Sequence, residues 1–226
     1  MKKPLDKTKP IIFASFIALT ACSTMNQPDE FTHDGLRLES TKPFDATYKK
    51  PDVDIKQYNS FMISECSVAF RKNWQRDQNT AKGTGTSQRI SDADMEAIKL
   101  KLAAMCHEVF VEELQKEGGY TIVESAGPHV LELKPNIIDL DIVAPDTLSA
   151  GRGHTYTTSE GSMRLFLEAY DSVSGEILAR VIDRSVASSG SQLEWTNSIT
   201  NSREAKRMLS RWGALLRSMI DSARSE

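Results

Sequence analysis

The 226-residue chain has a formal net charge of −3, with 39% hydrophobic and 26% charged residues. This length and composition allow one domain with a substantial hydrophobic core. The small excess of acidic residues argues against a nucleic-acid-binding protein, because such proteins normally carry a basic surface.

The N-terminus has the parts of a bacterial lipoprotein signal. A lysine-rich head precedes an apolar run from Ile11 to Ala21. The run is about half of the ~20 residues that a membrane-spanning helix requires, so residues 1–21 are predicted to be a cleaved signal peptide. The run ends in LTAC, which resembles the lipobox of bacterial lipoproteins, and Cys22 is the predicted site of lipidation. An ordinary secretory signal with an incidental cysteine is the alternative.

Lipidation of Cys22 would make the membrane the first partner of the protein. Several acyl chains on one cysteine bind a bilayer durably, whereas a single chain does not. In Gram-negative lipoproteins an Asp after the cysteine tends to retain the protein in the inner membrane. Here Ser23 follows, which favours the outer membrane, facing the periplasm.

Residues 22–50 are polar and contain scattered prolines, so they are predicted to form a tether. Residues 51–226 are predicted to form a single periplasmic domain. Part of the tether is open to a second interpretation, packing on that domain, because it contains apolar residues: Leu36, Leu38, Phe44 and Tyr48.

A strand, a loop and a long helix are predicted first in the domain. The segment YNSFMISECSVAF (58–70) is rich in β-forming residues and predicts the strand. Residues 71–90 are charged and then rich in Gly, Thr and Ser, which favours a loop. Ser91 and Asp94 have the spacing of a capping box, and apolar residues then recur at helical spacing as far as the glycine pair at 118–119.

Strands dominate the sequence that follows. Residues 120–123 predict a short strand and residues 129–143 a long one. Pro135 cannot donate a hydrogen bond to a neighbouring strand, so the long segment is an edge strand, a bulged strand or two short strands. Alternation in its second half predicts one inward and one outward set: Ile138, Leu140 and Ile142 inward, Asp139 and Asp141 outward.

A long polar loop (144–161), a β-hairpin (162–188) and a last helix beginning at Asn201 or Ser202 complete the prediction. The helix has a basic outer face, most simply interpreted as solvent-exposed. The expected fold is α+β, with one mixed or antiparallel sheet of about five strands and two long helices on one face.

Cys66 and Cys106 remain once Cys22 is assigned to the anchor. Neither lies in a CxxC pair or beside a metal-ligand pattern. They are interpreted as buried small hydrophobic residues or as a disulfide, which an oxidising compartment permits.

Several segments resemble one family of bacterial lipoproteins, DUF3313: PDVDIKQYNSFMI, FRKNWQRD, GPHVLELKPNIIDLDIVAPDT, YDSVSGEILARVIDR and EWTNSITN. The resemblance covers most of residues 35–222. It implies a lipoprotein with one compact periplasmic domain. It supplies no activity, substrate, cofactor or catalytic residue that can be carried over.

The preferred hypothesis is a binding or assembly module that contacts another envelope protein, because recognition commonly lies on loops of a rigid scaffold. The candidate binding residues lie in or beside the two polar loops: Trp74, Asp146, Arg152, His154 and Trp195. A small-ligand or lipid carrier is the alternative, and it requires an apolar cavity that Trp74 and Trp195 could line or merely cover.

An enzyme acting on cell-wall material is the least favoured hypothesis. Its best candidate groups are the carboxylates, the arginine and the histidine of one region: Asp139, Asp141, Asp146, Arg152 and His154. The sequence has no GxSxG, HExxH or P-loop motif. No cofactor, metal site or catalytic residue is therefore predicted.

Overall fold

The computed structural model describes most of the domain. The described ranges are 28–81, 89–142, 155–157, 161–187, 194–196 and 198–225. Within them, no helix combines the length and the apolar character that crossing a membrane requires.

Ten strands and three α-helices make up these ranges. The strands are β1 (Arg37–Ser40), β2 (Ala46–Lys49), β3 (Ser60–Ile63), β4 (Ser67–Phe70), β5 (Thr121–Ile122), β6 (Val130–Asp141), β7 (Thr155–Thr157), β8 (Ser162–Asp171), β9 (Ile177–Val186) and β10 (Glu194–Thr196). The helices are α1 (Trp74–Ala81), α2 (Asp92–Gln115) and α3 (Ser198–Ser225). Short 3-10 turns occupy Ile55–Gln57 and Lys116–Gly118.

Eight strands form one mixed sheet in the order β1-β2-β9-β8-β6-β3-β5, and β4 also pairs with β6. β3 and β4 run parallel to β6, whereas β8 runs antiparallel to it. β7 and β10 form a separate antiparallel pair. The α+β class and the mixed sheet are confirmed, but the sheet has more strands than the predicted five, and α1 is an additional helix.

The core lies between one face of the sheet and the helices α2 and α3. Leu165 and Leu167 of β8 are each 1% exposed and belong to the same buried cluster as Phe110 and Trp212. α2 begins with the predicted capping box between Ser91 and Asp94. This reciprocal cap satisfies backbone donors that the first helical turn leaves unpaired.

A buried carboxylate joins α3 to the sheet. Asp183 of β9 is 3% exposed and accepts a hydrogen bond from the indole Nε1 of Trp212 at 2.7 Å. It also accepts the backbone N–H of Asp45 at 3.1 Å and lies 3.5 Å from Nη1 of Arg211. Arg211, predicted to lie on a solvent-exposed basic face, therefore contributes a cation to this internal group.

β6 is one strand in the interior of the sheet, so the edge-strand and two-strand interpretations are wrong. The strand is bulged, but the bulge follows Ile138 and does not lie at Pro135. Ser64 donates its N–H to the carbonyl of Leu133, so odd-numbered residues in this part of β6 direct their backbone polar groups towards β3 and β4. The missing N–H of Pro135 thus points at residues 64–66, between those two strands. A proline is tolerated there because no strand requires its hydrogen bond.

A bulge at Asp139 overturns part of the predicted alternation. The register of β6 against β8 shifts between Ile138 and Asp141, and Asp139 has a φ of 52°. Ile137 is fully buried and Ile138 only partly, so Ile138 was wrongly placed inward. Leu140 is buried as predicted. A single extra residue shifts which side chains face the core, and period-two alternation cannot detect it.

The left-handed conformation of Asp139 predicts an unusual order of variant stabilities. Glycine adopts this conformation without the steric penalty that a Cβ imposes. We expect the free energy of unfolding of Asp139→Gly to be about 1 kcal/mol higher than that of Asp139→Ala, which makes the glycine variant the more stable of the two. Both variants remove the same carboxylate, so urea unfolding of the pair isolates the backbone term. Equal stabilities would show that residue 139 is not left-handed in solution.

The boundary predicted between tether and domain at residue 50 is wrong. Residues 37–49 contribute β1 and β2, and β2 pairs with β9 inside the sheet. Leu36, Phe44 and Tyr48 are at most 5% exposed. The second interpretation of this segment is therefore confirmed for these residues, since the apolar side chains supply the packing that a free tether would lack.

Three other boundaries also differ from prediction. The strand predicted over 58–70 is two strands, because residues 64–66 leave the ladder between β3 and β4. The loop predicted over 71–90 contains α1. α3 begins at Ser198, ahead of the predicted cap at Asn201 or Ser202.

Cys66 and Cys106 form a disulfide in the structure. Their sulfur atoms lie 2.13 Å apart and their Cα atoms 6.1 Å apart. Cys66 lies between β3 and β4, and Cys106 lies in the middle of α2, where it is fully buried. The bond fixes α2 across the parallel part of the sheet.

Candidate functional site

Trp74, a predicted binding residue, covers the core and is not available as an exposed contact. It is 1% exposed. Its ring stacks on Phe70 with centroids 4.1 Å apart, and its Nε1 donates to the carbonyl of Ile142 at 3.1 Å. Both its apolar surface and its polar atom are thus used inside the domain. Sequence alone left this possibility open beside the binding role.

The other predicted binding residues are not placed as a group. Asp146, Arg152 and His154 lie outside the described residues, as does Cys22. The backbone of Trp195 belongs to β10 and pairs with Tyr156, while its side chain lies outside the described part.

A cleft lies beside Trp74, between strand β4 and the helices α1 and α2. Its volume is about 490 Å³. Strand and helix residues line it together: Val68, Phe70, Arg71, Arg76, Met95 and Lys99 are among them. The lining combines apolar side chains with a cationic rim, and its floor is the stacked pair described above.

α1 is held at this cleft by side-chain contacts to Ile90 and Asp92, on either side of the N-cap of α2. Asn79 donates to the carbonyl of Ile90 at 2.9 Å and accepts its N–H at 2.7 Å. Gln75 donates to the same carbonyl at 3.1 Å and to Asp92 at 2.8 Å. α1 was not predicted, because it lacks an apolar repeat: its only large apolar residue is Trp74, at its first position.

Arg71 at the cleft is bound by two carboxylates. It donates through Nη1 to Asp77 and through Nε to Asp141, each at 2.7 Å. The hydrogen bonds to Asp77 and Asp141 raise the pKa of Arg71, and the bond from Arg71 lowers the pKa of Asp77. The guanidinium therefore stays charged and fixed in position.

Asp139 and Asp141, the paired carboxylates of the enzyme hypothesis, have different partners. Asp141 binds Arg71, whereas Asp139, the residue at the bulge, has its carboxylate 3.6 Å from Nη1 of Arg164. Within the described ranges no three His, Cys, Asp or Glu side chains are grouped so that they could hold a metal ion.

β4 has an unpaired outer edge at the cleft. Among the described residues it pairs only with β6. The N–H of Arg71 donates to the carbonyl of Leu140 on β6. Because backbone groups of successive residues point to opposite sides of a strand, the N–H and C=O groups of Val68 and Phe70 point away from β6. The cleft is thus bordered by backbone groups of a strand edge.

A buried arginine organises the second face of the sheet, opposite to α2 and α3. Arg180 is 6% exposed and donates to Glu168 of β8 (Nε–Oε1 3.0 Å). It also donates to both oxygens of Asp34, with Nη1 and Oδ1 3.1 Å apart. Asp34 belongs to residues 28–36, which we call the N-terminal strap. The ion pair fastens the strap to the sheet.

Contacts and burial within this cluster shift the pKa values of its ionisable groups. The hydrogen bond from Arg180 lowers the pKa of Asp34 from 3.8 to about 2, against a smaller opposing effect of burial. Burial by itself would lower the pKa of Arg180, but the bonds to Asp34 and Glu168 outweigh it and raise the pKa. Burial also raises the pKa of Tyr170, which donates to Glu168, to about 12.

We expect Asp34 to make stability depend on pH in a defined range. A carboxylate whose pKa is lowered by folding stabilises the protein above its unfolded pKa and loses that effect as the pH falls. The contribution of Asp34 should be complete above about pH 4 and lost as the pH falls towards 2. Asp34→Asn should flatten the dependence of the free energy of unfolding on pH over this range, and an unchanged slope would contradict the assignment.

The comparisons with known proteins give one family and several distant structures. No curated protein matches significantly. A PelC dodecamer from Paraburkholderia phytofirmans is 10% identical, with a TM-score of 0.35 over 76% of this chain and 94% of that one. A DUF330 protein from Xanthomonas campestris is 10% identical, with a TM-score of 0.41 over 78% and 91%. A neuraminyllactose-binding hemagglutinin homologue from Helicobacter pylori is 12% identical, with a TM-score of 0.28 over 74% and 87%.

One family model matches most of the chain. It is described as a protein of unknown function, DUF3313, and it matches residues 28–216. The matched region begins within the N-terminal strap and extends into α3, so it contains the whole sheet. The chain therefore belongs to the DUF3313 family.

Proposed function

We propose that this protein is a lipoprotein of the bacterial outer membrane, anchored through Cys22 and facing the periplasm, and that its domain is an accessory module that binds another envelope protein. The observation that carries the binding proposal is the unpaired edge of β4 at the cleft. The lipobox-like LTAC sequence supports the anchor. The proposal assigns no catalytic step to the domain.

An extended segment of the partner would add to the sheet along β4. In this mode, backbone hydrogen bonds supply affinity and flanking pockets select side chains. The outward groups of Val68 and Phe70 would form the hydrogen bonds. Arg76 and Lys99 also line the cleft, where each forms a solvent-exposed ion pair, Arg76 with Asp77 at 3.1 Å and Lys99 with Glu96 at 3.3 Å. Such exposed pairs are weak, so a partner carboxylate can replace Asp77 or Glu96. The rim therefore favours a partner segment with acidic side chains flanking its extended part.

A small-ligand carrier is the second candidate, and the size of the cleft favours it. About 490 Å³ falls within the range of small-molecule sites. Its charged rim fits a polar ligand better than a lipid chain.

Crosslinking at paired positions of α2 tests the binding proposal. A photoreactive residue at Lys99 should capture a reproducible envelope protein in cells. The same residue at Lys101 should not, because a two-residue step turns about 200° around a helix. Lys101 is exposed and Lys99 only partly so, and the control position is therefore at least as accessible as the test position. Equal capture at both positions, or none at Lys99, would contradict the assigned surface.

Hydrogen exchange on the purified pair tests the mode of binding. Adding the captured partner should slow exchange of the Val68 and Phe70 amides. The Ala69 amide should change less, since by alternation it already faces β6. If the partner protects none of the β4 amides, strand addition is wrong even where binding is real. A small molecule that co-purifies and protects the cleft without any captured protein would support the carrier instead.

The anchor has its own test. Intact mass of the membrane-extracted protein should show loss of residues 1–21 and a lipid on Cys22. Cys22→Ser should abolish both and release the protein from membranes. An unmodified Cys22 would overturn the anchor without affecting the cleft experiments.

A further inference from the structure

The outward face of α2 has apolar residues that the domain leaves exposed. Leu100 is 64% exposed, and Ala93, Ala97 and Ala104 are also exposed. A helix turns about 100° per residue, so these four positions fall within an arc of about 60°. Leu102, which is buried in the core, lies on the opposite side of the helix. The helix therefore has a second apolar face, which we call the outer face of α2, where a surface helix normally has polar residues.

Two opposite charges border the outer face on one side. Lys101 and Glu108 are both exposed and lie two helical turns apart on the same border. Neither forms an ion pair within the described ranges, whereas Glu96 on the other border is paired with Lys99 at 3.3 Å. Lys101 and Glu108 are too far apart to pair with each other, at about 10 Å along the helix axis. Each is therefore available to a charge on a neighbouring molecule.

The charges make the outer face complementary to a second copy of itself. When two identical helices pack antiparallel about a two-fold axis, every contact occurs twice. Placing Lys101 opposite Glu108 of the second copy puts the axis midway between residues 104 and 105 and gives two symmetric ion pairs. The two copies of Lys101 are then about 10 Å apart along the helix, and so are the two copies of Glu108. The arrangement therefore opposes no like charges on this border.

The apolar residues fit the same register. Ala104 lies next to the axis, and its small side chain lets the two helix backbones approach closely. Leu100 then enters the space between residues 104, 107, 108 and 111 of the second copy. Four positions with this spacing form the hole that receives one side chain in coiled-coil packing. Ion pairing and apolar packing thus select one arrangement independently of each other.

We propose that two copies of this protein form a dimer through α2, with their outer faces packed antiparallel around Ala104. The apolar part of this face is about 17 Å long, and a stable interface buries about 800 Å² on each partner, so the dimer is weak in solution. Anchoring at Cys22 would confine the copies to one membrane and raise their effective concentration. The dimer depends on the proposed anchor only for this concentration. It does not use the cleft, which lies on another side of α2.

Crosslinking in cells tests the contact and its direction. A photoreactive residue at Ala97 of the otherwise native chain should give a product of twice the chain's mass that contains this chain alone. Peptide mapping should place the link near Val111 of the second copy, since antiparallel packing brings opposite ends of the outer face together. A link near residue 97 of the second copy would indicate parallel packing and overturn the arrangement. The same photoreactive residue at Ser218, an exposed position of α3, should give no such product.

A charge exchange tests the register. Lys101→Glu or Glu108→Lys alone replaces two attractive pairs with two repulsive ones and should lower the crosslinking yield about tenfold. The double variant Lys101→Glu/Glu108→Lys restores opposite charges across the axis and should recover the yield. Recovery also shows that the single variants fold, since each change is present in the double variant. Leu100→Gln should lower the yield without any change in charge.

The outcomes separate this dimer from the cleft proposal. Capture at Lys101 in the cleft experiment should be of this chain alone, which its mass distinguishes from another envelope protein. An empty result at Lys99 would refute the cleft proposal and leave the dimer intact. A yield that ignores both single charge changes, or a double variant that recovers nothing, would overturn the dimer. Capture of a different protein at Ala97, or of none, would overturn it as well.

Discussion

Replacing both Cys66 and Cys106 with alanine is expected to lower the free energy of unfolding by about 4 kcal/mol. The disulfide closes a loop with a sequence separation of 40. A cross-link of that span removes many conformations from the unfolded chain, and loss of the bond restores them. Alanine is the suitable replacement because both cysteines are at most 5% exposed and a polar side chain would be buried without a partner.

Urea unfolding in the presence and absence of a reductant measures this effect. The wild-type protein should become less stable when it is reduced, and the double-alanine variant should not respond. Part of the loss in the variant arises from the two missing sulfur atoms. The reductant-dependent part reports the bond itself. If the reductant does not change wild-type stability, the two cysteines are not bonded in solution.

Arg180→Met is expected to lower the free energy of unfolding by about 3–5 kcal/mol. The cost comes from the groups that remain. Glu168, with a side chain 16% exposed, would keep a poorly solvated charge without its partner, while Asp34 at the surface would lose its ion pair at a smaller cost. The cation also lies 5.1 Å from the centroid of the Phe166 ring, and this contact would be lost too.

A triple variant separates the charge effect from packing. Arg180→Met/Glu168→Gln/Asp34→Asn removes the cation and both anions together. Replacement of a whole buried ion network is often close to neutral, whereas removal of one partner is costly. The triple variant should therefore regain most of the stability that the single change loses. A triple variant as unstable as the single one would assign the cost to packing of the long side chain.

Sequence patterns predicted the elements whose period is regular and whose ends carry strong signals. The hairpin of β8 and β9 has strict alternation, and α2 has both a capping box and terminal glycines. The bulge at Asp139 escaped prediction because its cause is the fit of β6 to strands on both sides. The N-terminal strands escaped for a similar reason: β1 and β2 are four residues each, and β2 joins the sheet by pairing with β9, more than a hundred positions away.

The candidate sites were predicted less well than the fold. For Trp74 the sequence left open whether the ring lines a site or covers the core, because sequence does not show whether an aromatic ring is buried; the structure buries it beside the cleft. Arg180 was not singled out at all. Its importance depends on Asp34 and Glu168, which no local spacing brings together. The unpaired edge of β4 is likewise a property of the sheet order, and only the three-dimensional pairing shows it.

The pairing of β2 with β9 fixes the order in which the chain can fold. Ala46 lies opposite Ile182, so strands made early in synthesis must wait for a strand made near its end. Contacts of such large sequence separation slow folding because a long loop must close first. Cys66 and Cys106 are only 40 positions apart, so they can come together earlier, as soon as the chain is in a compartment that permits disulfides. The disulfide can thus hold a half-built domain together while the exposed edges of β1 and β2 remain open to incorrect pairing, which makes this interval the one in which the protein most needs protection from aggregation.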